Sequence, residues 1–325
     1  RQRKAAMQYT TLGKTGLKIS EVGLGTWAFN SSVYGPVAVD DAERTIQKAR
    51  EVGINFFDTA PLYGDKDQDG IAEEVLGQAL QGWRDEVIVS TKFGRKPTEG
   101  NKANFYGAYA VQSVEESLRR LRTDYIDLLF FHSPFAAEEI HDDVWAALDG
   151  LQAAGKVRFI GHSISKFADT QQMARTWAFQ RKIDAIQVVY SLLNREAQVL
   201  IRDLSAEGIG VVARESLANG FLSGAIGLDT VFQPGTLNAR YEREEIVARV
   251  EQVERLSFLV RAEVESMAQA ALRWVLDEPG VSLVLTGAKN EVEVADCAGA
   301  CNAPSYGEEE LLRADELHQR DFAAA

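Results

Sequence analysis

Three strand-like stretches of this sequence each end in a side chain that can exchange a proton. The first ends at Asp58, the second at Lys92 and the third at His132, and Tyr63 lies in the turn that follows Asp58. A lysine held between an aspartate and a tyrosine can lower the pKa of the phenol by stabilising its anion, and a histidine can orient a substrate oxygen. The four residues together favour proton transfer to a carbonyl oxygen.

Reduction of a carbonyl also requires a hydride, which no side chain supplies, so this chemistry implies a nicotinamide cofactor. Ser163, Gln187 and Tyr190 end two later strand-like stretches. The serine and the glutamine could hold the carboxamide, and the tyrosine could stack on the ring. An aldolase with Lys92 as Schiff-base nucleophile is disfavoured, because the neighbouring Asp58 would keep the amine protonated.

Roughly one strand-helix unit separates each of these strand ends from the next. Polar residues placed once per unit at the carboxyl ends of strands converge on the mouth of a barrel. Apolar strands that alternate with helices predict a parallel sheet covered by helices, and eight of them favour an α/β fold of the closed (β/α)8 TIM-barrel type. The predicted strands are 22–25, 54–58, 87–92, 126–132, 157–163, 185–190, 210–215 and 282–285, and the predicted helices are 40–52, 71–80, 111–121, 144–154, 167–180, 197–207 and 264–278.

An open, doubly wound sheet is the rival fold, and it usually carries a glycine-rich turn after the first strand. The stretch Gly23-Leu24-Gly25-Thr26-Trp27-Ala28 lacks the third glycine of that turn. Residues 7–20 predict a β-hairpin before the barrel, and residues 222–261 predict an extra helix outside it, near the mouth. We expect a single domain over residues 7–325, preceded by an N-terminal extension of residues 1–6.

The composition limits the classes of partner. The chain has 325 residues, a net charge of −13 and a pI near 4.9, so it lacks the basic surface that binds nucleic-acid backbones. Cys297 and Cys301 have no further Cys or His nearby, which argues against a metal site. No apolar stretch is long enough to span a membrane, and nothing resembles a signal peptide. We expect a cytoplasmic protein without a nucleic-acid or membrane partner; the sequence leaves the oligomeric state open.

Several motifs in this chain resemble those of the aldo-keto reductase family. They include Asp58-Thr59-Ala60-Pro61-Leu62-Tyr63-Gly64, Thr91-Lys92-Phe93, Gly155-Lys156-Val157-Arg158, Gln187-Val188-Val189-Tyr190-Ser191 and Gly220-Phe221-Leu222-Ser223-Gly224. The resemblance implies a (β/α)8 barrel that uses NADPH, less often NADH, to reduce small aldehydes and ketones. It implies that Tyr63 is the general acid, that Lys92 and Asp58 tune it, and that His132 positions the carbonyl.

The resemblance also implies where the cofactor and the substrate would bind. Trp27, Tyr63 and His132 are expected to line the substrate pocket. Arg214 and the backbone amides after it are expected to hold the pyrophosphate. The expected cofactor contacts are Gly25, Thr26, Trp27, Asp58, Ser163, Gln187, Tyr190, Arg214, Glu215, Ser216, Leu217, Ala218, Gly220, Leu222, Gly287, Lys289 and Glu293.

The chain departs from the family pattern at three cofactor positions. Ile164 stands where the family usually has an asparagine, and it cannot hydrogen-bond a carboxamide. Glu293 and Cys297 stand where the family commonly has a glutamine and an asparagine that contact the adenine. Lys289 is the best basic candidate for a 2′-phosphate, whereas Glu291 and Glu293 oppose one, so NADP(H) is favoured over NAD(H) by a small margin. A second function within this resemblance is a cofactor-binding regulatory protein, similar to the potassium-channel β-subunits of the family.

Overall fold

The computed structural model describes residues 6–30, 33, 35–181 and 183–323. Residues 1–5 of the expected N-terminal extension lie outside the described part. Two short strands form an antiparallel hairpin and eight further strands form a parallel, closed barrel. The hairpin strands are β1 (Tyr9–Thr11) and β2 (Lys18–Ser20), and the barrel strands are β3 (Val22–Gly25), β4 (Phe56–Asp58), β5 (Ile88–Phe93), β6 (Ile126–His132), β7 (Val157–Ser163), β8 (Ala185–Val189), β9 (Gly210–Arg214) and β10 (Leu283–Thr286).

Helices cover the outside of this barrel, so the predicted TIM-barrel fold is confirmed and the open sheet is wrong. The barrel closes because β10 pairs with both β9 and β3. The helices are α1 (Val39–Glu51), α2 (Ile71–Ala79), α3 (Gly107–Leu121), α4 (Asp143–Ala153), α5 (Phe167–Gln180), α6 (Gln198–Ala206), α7 (Arg243–Arg255), α8 (Met267–Leu276), α9 (Glu291–Gly299) and α10 (Glu308–Gln319). No helix in the described ranges is long and apolar enough to cross a membrane.

Helix α3 shows how the sequence forms one layer of this fold. Ala110, Val114, Leu118 and Leu121 recur every three or four residues, so they lie on one face of a helix, and all four are buried. Full burial of such a valine or leucine contributes roughly 1.5–3 kcal/mol relative to exposure. The helix ends where Arg122 adopts a left-handed conformation with φ +52°.

Alternate residues of each barrel strand face the interior. Leu128 and Phe130 of β6 pack there with Val212 of β9, while Leu129 of β6 packs outward against the helices. The same alternation carries each strand towards its carboxyl end, so the last inward residue of a strand lies at the mouth. These last inward residues include Asp58, Lys92, His132, Ser163 and Arg214.

The β1–β2 hairpin closes the opposite, amino-terminal end of the barrel. Leu12, Leu17 and Ile19 are buried in the same interior cluster as the strand residues. The backbone N–H of Lys14 donates to the Gly208 carbonyl oxygen at 2.8 Å. A glycine is needed at residue 13, because its φ is +49° and an added Cβ would lie 2.4 Å from the Gly208 oxygen.

The segment after β9 carries the expected extra helix, α7, beside the barrel mouth. Asn238 Nδ2 donates to the Asn219 carbonyl oxygen at 2.8 Å, and Asn219 Nδ2 donates to the Tyr241 hydroxyl at 3.3 Å. These bonds tie the segment before α7 to the loop that follows β9. The assignment of residues 7–325 to a single domain stays a prediction.

Candidate active site

Lys92 is the centre of the polar cluster at the barrel mouth. Its Nζ donates to Asp58 Oδ2 at 2.6 Å, to the Thr59 carbonyl oxygen at 2.9 Å and to the Tyr63 phenolic oxygen at 3.0 Å. The side chain is 1% exposed. Because an ammonium has three N–H donors, all of them are used, and the phenol is held at a fixed position beside the cation.

Asp58 is the buried counter-ion of this ammonium. Its second oxygen, Oδ1, accepts from Ser90 Oγ at 2.7 Å and from Gln187 Nε2 at 2.9 Å. Both carboxylate oxygens are therefore hydrogen-bonded, as a buried charge requires. Removing one partner of a buried pair costs roughly 3–5 kcal/mol, because it leaves an uncompensated charge.

Tyr63 keeps its proton in this environment. Burial raises the pKa of its phenol, and the nearby Lys92 ammonium opposes that rise without overcoming it. Lys92 therefore lowers the pKa of the phenol, as expected, but desolvation of the phenolate is the larger effect and leaves the pKa raised overall. Burial also disfavours the charge on Lys92, but the Asp58 carboxylate and Tyr63 outweigh it and raise the pKa of the amine.

His132 is a neutral imidazole next to the phenol. Its ring centroid lies 6.1 Å from that of Tyr63 in an edge-on arrangement. Burial lowers its pKa well below the ordinary value, and the charges of Lys92, Arg214 and Arg95 lower it further. A neutral imidazole has one N–H donor and one acceptor, and Nδ1 is buried without a hydrogen-bond partner among the described residues.

Arg95 fixes the backbone that carries His132, a role that the sequence did not signal. Its Nε donates to the His132 carbonyl oxygen and its Nη2 to the Ser133 carbonyl oxygen, both at 3.1 Å. Ser133 has a left-handed backbone with φ +51°, which is uncommon for a residue other than glycine. The guanidinium thus supports the strained turn that ends β6.

Trp27 forms a wall of the mouth beside the Tyr63 phenol. Its ring centroid lies 6.4 Å from that of Tyr63, and the residue is half-buried. Gly25 is also partly exposed, whereas Thr26 is fully buried and donates from Oγ1 to the Asp58 carbonyl oxygen at 3.1 Å. Trp27 is thus placed to contact a substrate, and Thr26 supports the end of β4.

Gln187 and Ser163 lie inside the mouth, as expected for residues that hold a carboxamide. Gln187 uses its Nε2 on Asp58, which leaves its Oε1 as an acceptor, and Ser163 Oγ lies 3.5 Å from Ser133 Oγ. Ile164 next to them is 1% exposed and has an apolar side chain. The carboxamide contact of these two residues stays a proposal.

Tyr190 does not face the mouth, so its expected stacking on the nicotinamide ring is wrong. The residue is 0% exposed, and its ring stacks on Trp274 at a centroid distance of 5.2 Å. Its hydroxyl donates to Glu278 Oε2 at 3.0 Å. Alternation along β8 explains the error, since residue 190 is an odd number of positions from the inward-facing Gln187.

The loop that follows β9 only partly fits the expected pyrophosphate cradle. The backbone N–H groups of Ala218, Gly220 and Leu222 already donate to carbonyl oxygens within the loop. Leu222 is fully buried, and its expected cofactor contact stays a prediction. The Ser216 hydroxyl donates to the Tyr190 carbonyl oxygen at 3.0 Å, which leaves only the backbone of Ser216 for a cofactor. The partly exposed Glu215 and Leu217 stay candidate contacts.

A left-handed turn in this loop nevertheless has the form of an anion site. Ala218, Asn219 and Gly220 have φ values of +49°, +55° and +92°. Leu217 before them has φ −97° and ψ 13°, and a change to left-handed backbone can turn N–H groups towards one side, although those of Ala218 and Gly220 already donate within the loop. Such concave turns bind anions, so a diphosphate is a reasonable occupant.

The start of α9 is the second phosphate candidate, and side chains already bind its N–H groups; the N-cap residue is Asn290, whose Oδ1 accepts the Glu293 N–H at 2.9 Å. Glu293 Oε2 accepts the backbone N–H of Lys289 at 3.0 Å, and Glu293 Oε1 accepts Asn290 Nδ2 at 2.9 Å. Gly287 is exposed and Lys289 is half-buried. The helix end would favour an anion, but the Glu293 carboxylate competes for the same N–H group.

The strand order brings these candidate contacts together, and they fit a nicotinamide dinucleotide. β9, β10 and β3 are neighbours in the barrel, so Arg214, Gly287 and Gly25 lie on one side of the mouth. The amide and hydroxyl groups suit a carboxamide, and the left-handed turn suits a diphosphate. In the described part of the chain, no group of His, Cys, Asp and Glu side chains could hold a metal ion.

Comparison with known proteins agrees with this geometry. The model of the family described as "Aldo/keto reductase family" matches residues 21–319. Aldo-keto reductase YhdN of Bacillus subtilis (strain 168) is 32% identical over 291 residues, which cover 87% of this chain and 85% of the relative. A probable voltage-gated potassium channel subunit beta of Oryza sativa subsp. japonica is 29% identical over 306 residues, covering 89% and 90%.

A solved structure shows the same architecture. Aldo-keto reductase AKR11C1 from Bacillus halodurans, in its holo form, superimposes with a TM-score of 0.76 and is 26% identical. The match covers 96% of this chain and 96% of the other. The similarity therefore extends over the whole barrel.

Proposed function

Because this chain belongs to the aldo/keto reductase family, we propose that it is an NAD(P)H-dependent reductase of small aldehydes and ketones, with Tyr63 as general acid. The observation that carries the proposal is the buried contact of Lys92 with both Asp58 and Tyr63, next to the neutral His132. A substrate carbonyl at the barrel mouth would meet a proton donor and a neutral hydrogen-bond donor together.

Each of the four side chains at the mouth has a separate role in proton transfer. Tyr63 gives its proton to the carbonyl oxygen as negative charge develops there, and Lys92 stabilises the phenolate that remains. Asp58 holds the ammonium in place and keeps it charged. The neutral His132 donates its N–H to the same oxygen and so orients the carbonyl.

A bound, reduced nicotinamide would supply the hydride that this chain cannot. Ser163 and Gln187 would hold its carboxamide, Gly25 and Trp27 would border it, and the loop of Glu215 to Gly220 would bind the diphosphate. We propose NADP(H) as the preferred dinucleotide, with NAD(H) also accepted. The Lys289 ammonium would attract the 2′-phosphate of NADP(H). The nearby Glu293 carboxylate would weaken the preference for NADP(H) over NAD(H).

The direct test is turnover with both dinucleotides. NADPH or NADH would be incubated with the protein and a panel of aldehydes, ketones, quinones and keto-sugars, while reduced nicotinamide and alcohol product are both measured. We expect the two quantities to change one for one with at least one class of carbonyl. Binding of NADPH without turnover of any carbonyl would contradict a reductase function.

A regulatory role is the second candidate function, supported by the similarity to a plant potassium channel subunit beta. Such a protein would bind the dinucleotide and turn it over slowly. Stable capture of a protein partner, together with failure of the whole carbonyl panel, would favour this second function. Rapid turnover would favour the first.

A further inference from the structure

Arg214 is a half-buried cation at the mouth whose role is not explained by Asp58, Tyr63, Lys92 and His132. It is the last residue of β9, and it lies two positions beyond the inward-facing Val212. Alternation along the strand therefore sends its side chain towards the barrel axis. We had expected Arg214 to add charge at the pyrophosphate, but this placement brings it to the reactive end of the site.

The guanidinium is held across the mouth by three acceptors. Its Nη2 donates to the Ile164 carbonyl oxygen and to Ser165 Oγ, both at 3.0 Å, and its Nη1 donates to Glu215 at 2.5 Å. The side chain thus spans from β9 to the loop after β7. Its Nε is buried and has no hydrogen-bond partner among the described residues, so one N–H donor there is unpaired.

The positive charge of Arg214 interacts electrostatically with the two groups that would contact the substrate. It lowers the pKa of His132 and opposes the rise in the pKa of Tyr63. Hydride transfer requires the nicotinamide and the carbonyl carbon to lie roughly 3–3.5 Å apart. A nicotinamide that reacts with a carbonyl bound by Tyr63 and His132 must therefore lie within range of the same charge.

We propose that Arg214 makes the site discriminate between the two redox states of the dinucleotide. The oxidised nicotinamide ring carries a positive charge and the reduced ring is neutral, so a fixed cation weakens binding of the oxidised form alone. The inference rests on the proposed function. Its consequence is that the spent cofactor leaves more readily than the reduced one, which favours reduction over alcohol oxidation.

Glu215 sets the strength of this discrimination. Its carboxylate pairs with Nη1 and is partly exposed, whereas the Nε of Arg214 is buried. A carboxylate at this position partly cancels the charge that the ring would experience. Neutralising Glu215 and neutralising Arg214 should therefore shift the discrimination in opposite directions, which loss of structure would not do.

Binding of both redox forms tests the inference without turnover. The dissociation constants of NADPH and NADP⁺ would be measured by quenching of tryptophan fluorescence in the wild type and in Arg214→Gln, Arg214→Lys and Glu215→Gln. Glutamine keeps an N–H donor and removes the charge, and lysine keeps the charge. We expect the ratio of the NADP⁺ to the NADPH dissociation constant to fall about fivefold or more in Arg214→Gln, to be retained in Arg214→Lys and to rise in Glu215→Gln.

If Arg214→Gln weakened the binding of NADPH and NADP⁺ equally, the ratio of their dissociation constants would be unchanged. This result would overturn the inference and leave the proposed function intact. The same holds if Glu215→Gln lowers the ratio. If the wild type bound neither dinucleotide, both this inference and the proposed function would fail. Should Arg214→Gln not fold, the direction of the change in Glu215→Gln decides.

Discussion

The two ends of the barrel use the same strands for different purposes. At the amino-terminal end, the hairpin inserts Leu12 and Ile19, which are 0% exposed, into an apolar cluster. At the carboxyl-terminal end, the inward positions of the same strands carry Asp58, Lys92 and His132 in a buried polar network. One end gains stability from apolar burial, and the other has charged groups held at a cost in desolvation.

In this molecule, residues near the amino-terminal ends of the strands contribute to folding stability. Residues at the carboxyl-terminal ends form the candidate active site. A barrel permits the separation because its interior is a packed core rather than a pore. Substitutions at the closed end should change stability and leave the turnover of folded molecules intact. Substitutions at the mouth should lower turnover even in molecules that stay folded.

Asp58→Asn should give the largest effect among the substitutions that leave the Tyr63 phenol in place. It removes the counter-ion of a buried ammonium, so the pKa of Lys92 falls and its support for the phenolate weakens. We expect kcat/KM for carbonyl reduction to fall about 100-fold or more across neutral pH. Steady-state kinetics over a range of pH measure this.

Asp127→Asn is the matched control at the other end. Asp127 is 1% exposed and pairs with Arg84 at 2.8 Å and Arg158 at 2.7 Å near the start of β6. The variant should lose stability and keep the kcat of its folded fraction. If both variants lost turnover equally, the separation of the two ends would be wrong.

Leu12→Ala tests the closed end directly. Truncating a fully buried leucine leaves a cavity and typically costs roughly 2–5 kcal/mol in the free energy of unfolding. Urea denaturation should show this loss, while kcat at a temperature where the protein is folded should match the wild type. Leu228→Ala, at a leucine that is 49% exposed, should change neither quantity. A stable Leu12→Ala protein with reduced kcat would contradict the role of the hairpin.

His162→Phe should change how the free energy of unfolding depends on pH in the acid range. His162 faces outward from β7, is 0% exposed, and neither ring nitrogen has a hydrogen-bond partner among the described residues. Burial lowers its pKa from 6.5 to about 3, so the folded state binds fewer protons than the unfolded state between these values. Stability is therefore full above about pH 6.5 and falls by up to roughly 1.4 kcal/mol per pH unit towards pH 3.

The measurement is the free energy of unfolding at several pH values. The phenylalanine variant should lose the part of the acid slope that His162 causes. His141→Phe, at an exposed histidine, should keep the wild-type slope. An identical slope in wild type and His162→Phe would show that the buried imidazole does not govern acid stability.

Lys289→Ala and Glu293→Gln should give the smallest effects, at the edge of the mouth. Removing the lysine should lower the preference for NADPH over NADH a few-fold, and removing the Glu293 carboxylate, which accepts the Lys289 N–H beside the start of α9, should raise it. The ratio of the two kcat/KM values measures both. A higher efficiency with NADH in the wild type, with NADPH affinity unchanged in Lys289→Ala, would contradict the proposed preference.

Much of this separation could be predicted from the sequence. The strands that end at Asp58 and His132 were placed with their carboxyl ends at the correct residues, because an apolar run that stops at a polar residue is a local signal. The aromatic type of Tyr190 suggests ring stacking, but its position in the alternation of β8 turns the side chain away from the mouth. The same alternation pointed Arg214 inward, although the sequence placed it at the pyrophosphate.

Contacts between residues that are far apart in the chain could not be predicted from the sequence. Arg95 supports the His132 backbone through two carbonyl oxygens, and Ser90 shares the Asp58 carboxylate with Gln187. No local pattern specifies such bonds, since they depend on which strands become neighbours. The hydrogen bond from the Lys289 N–H to Glu293 likewise depends on the geometry of the helix end.

Tyr63→Phe tests most directly whether the mouth carries out proton transfer. Phenylalanine keeps the ring beside Trp27 and His132 and removes only the hydroxyl that accepts from Lys92. Tyr125→Phe, which removes a hydroxyl bonded to Asp85 at 3.2 Å before β6, is the control.

The measurement is kcat for carbonyl reduction at saturating NADPH, together with the NADPH dissociation constant. We expect kcat to fall roughly 10²–10⁴-fold in Tyr63→Phe with the dissociation constant unchanged, and both to stay at wild-type values in Tyr125→Phe. Wild-type turnover in Tyr63→Phe would contradict the assignment of Tyr63 as the proton donor.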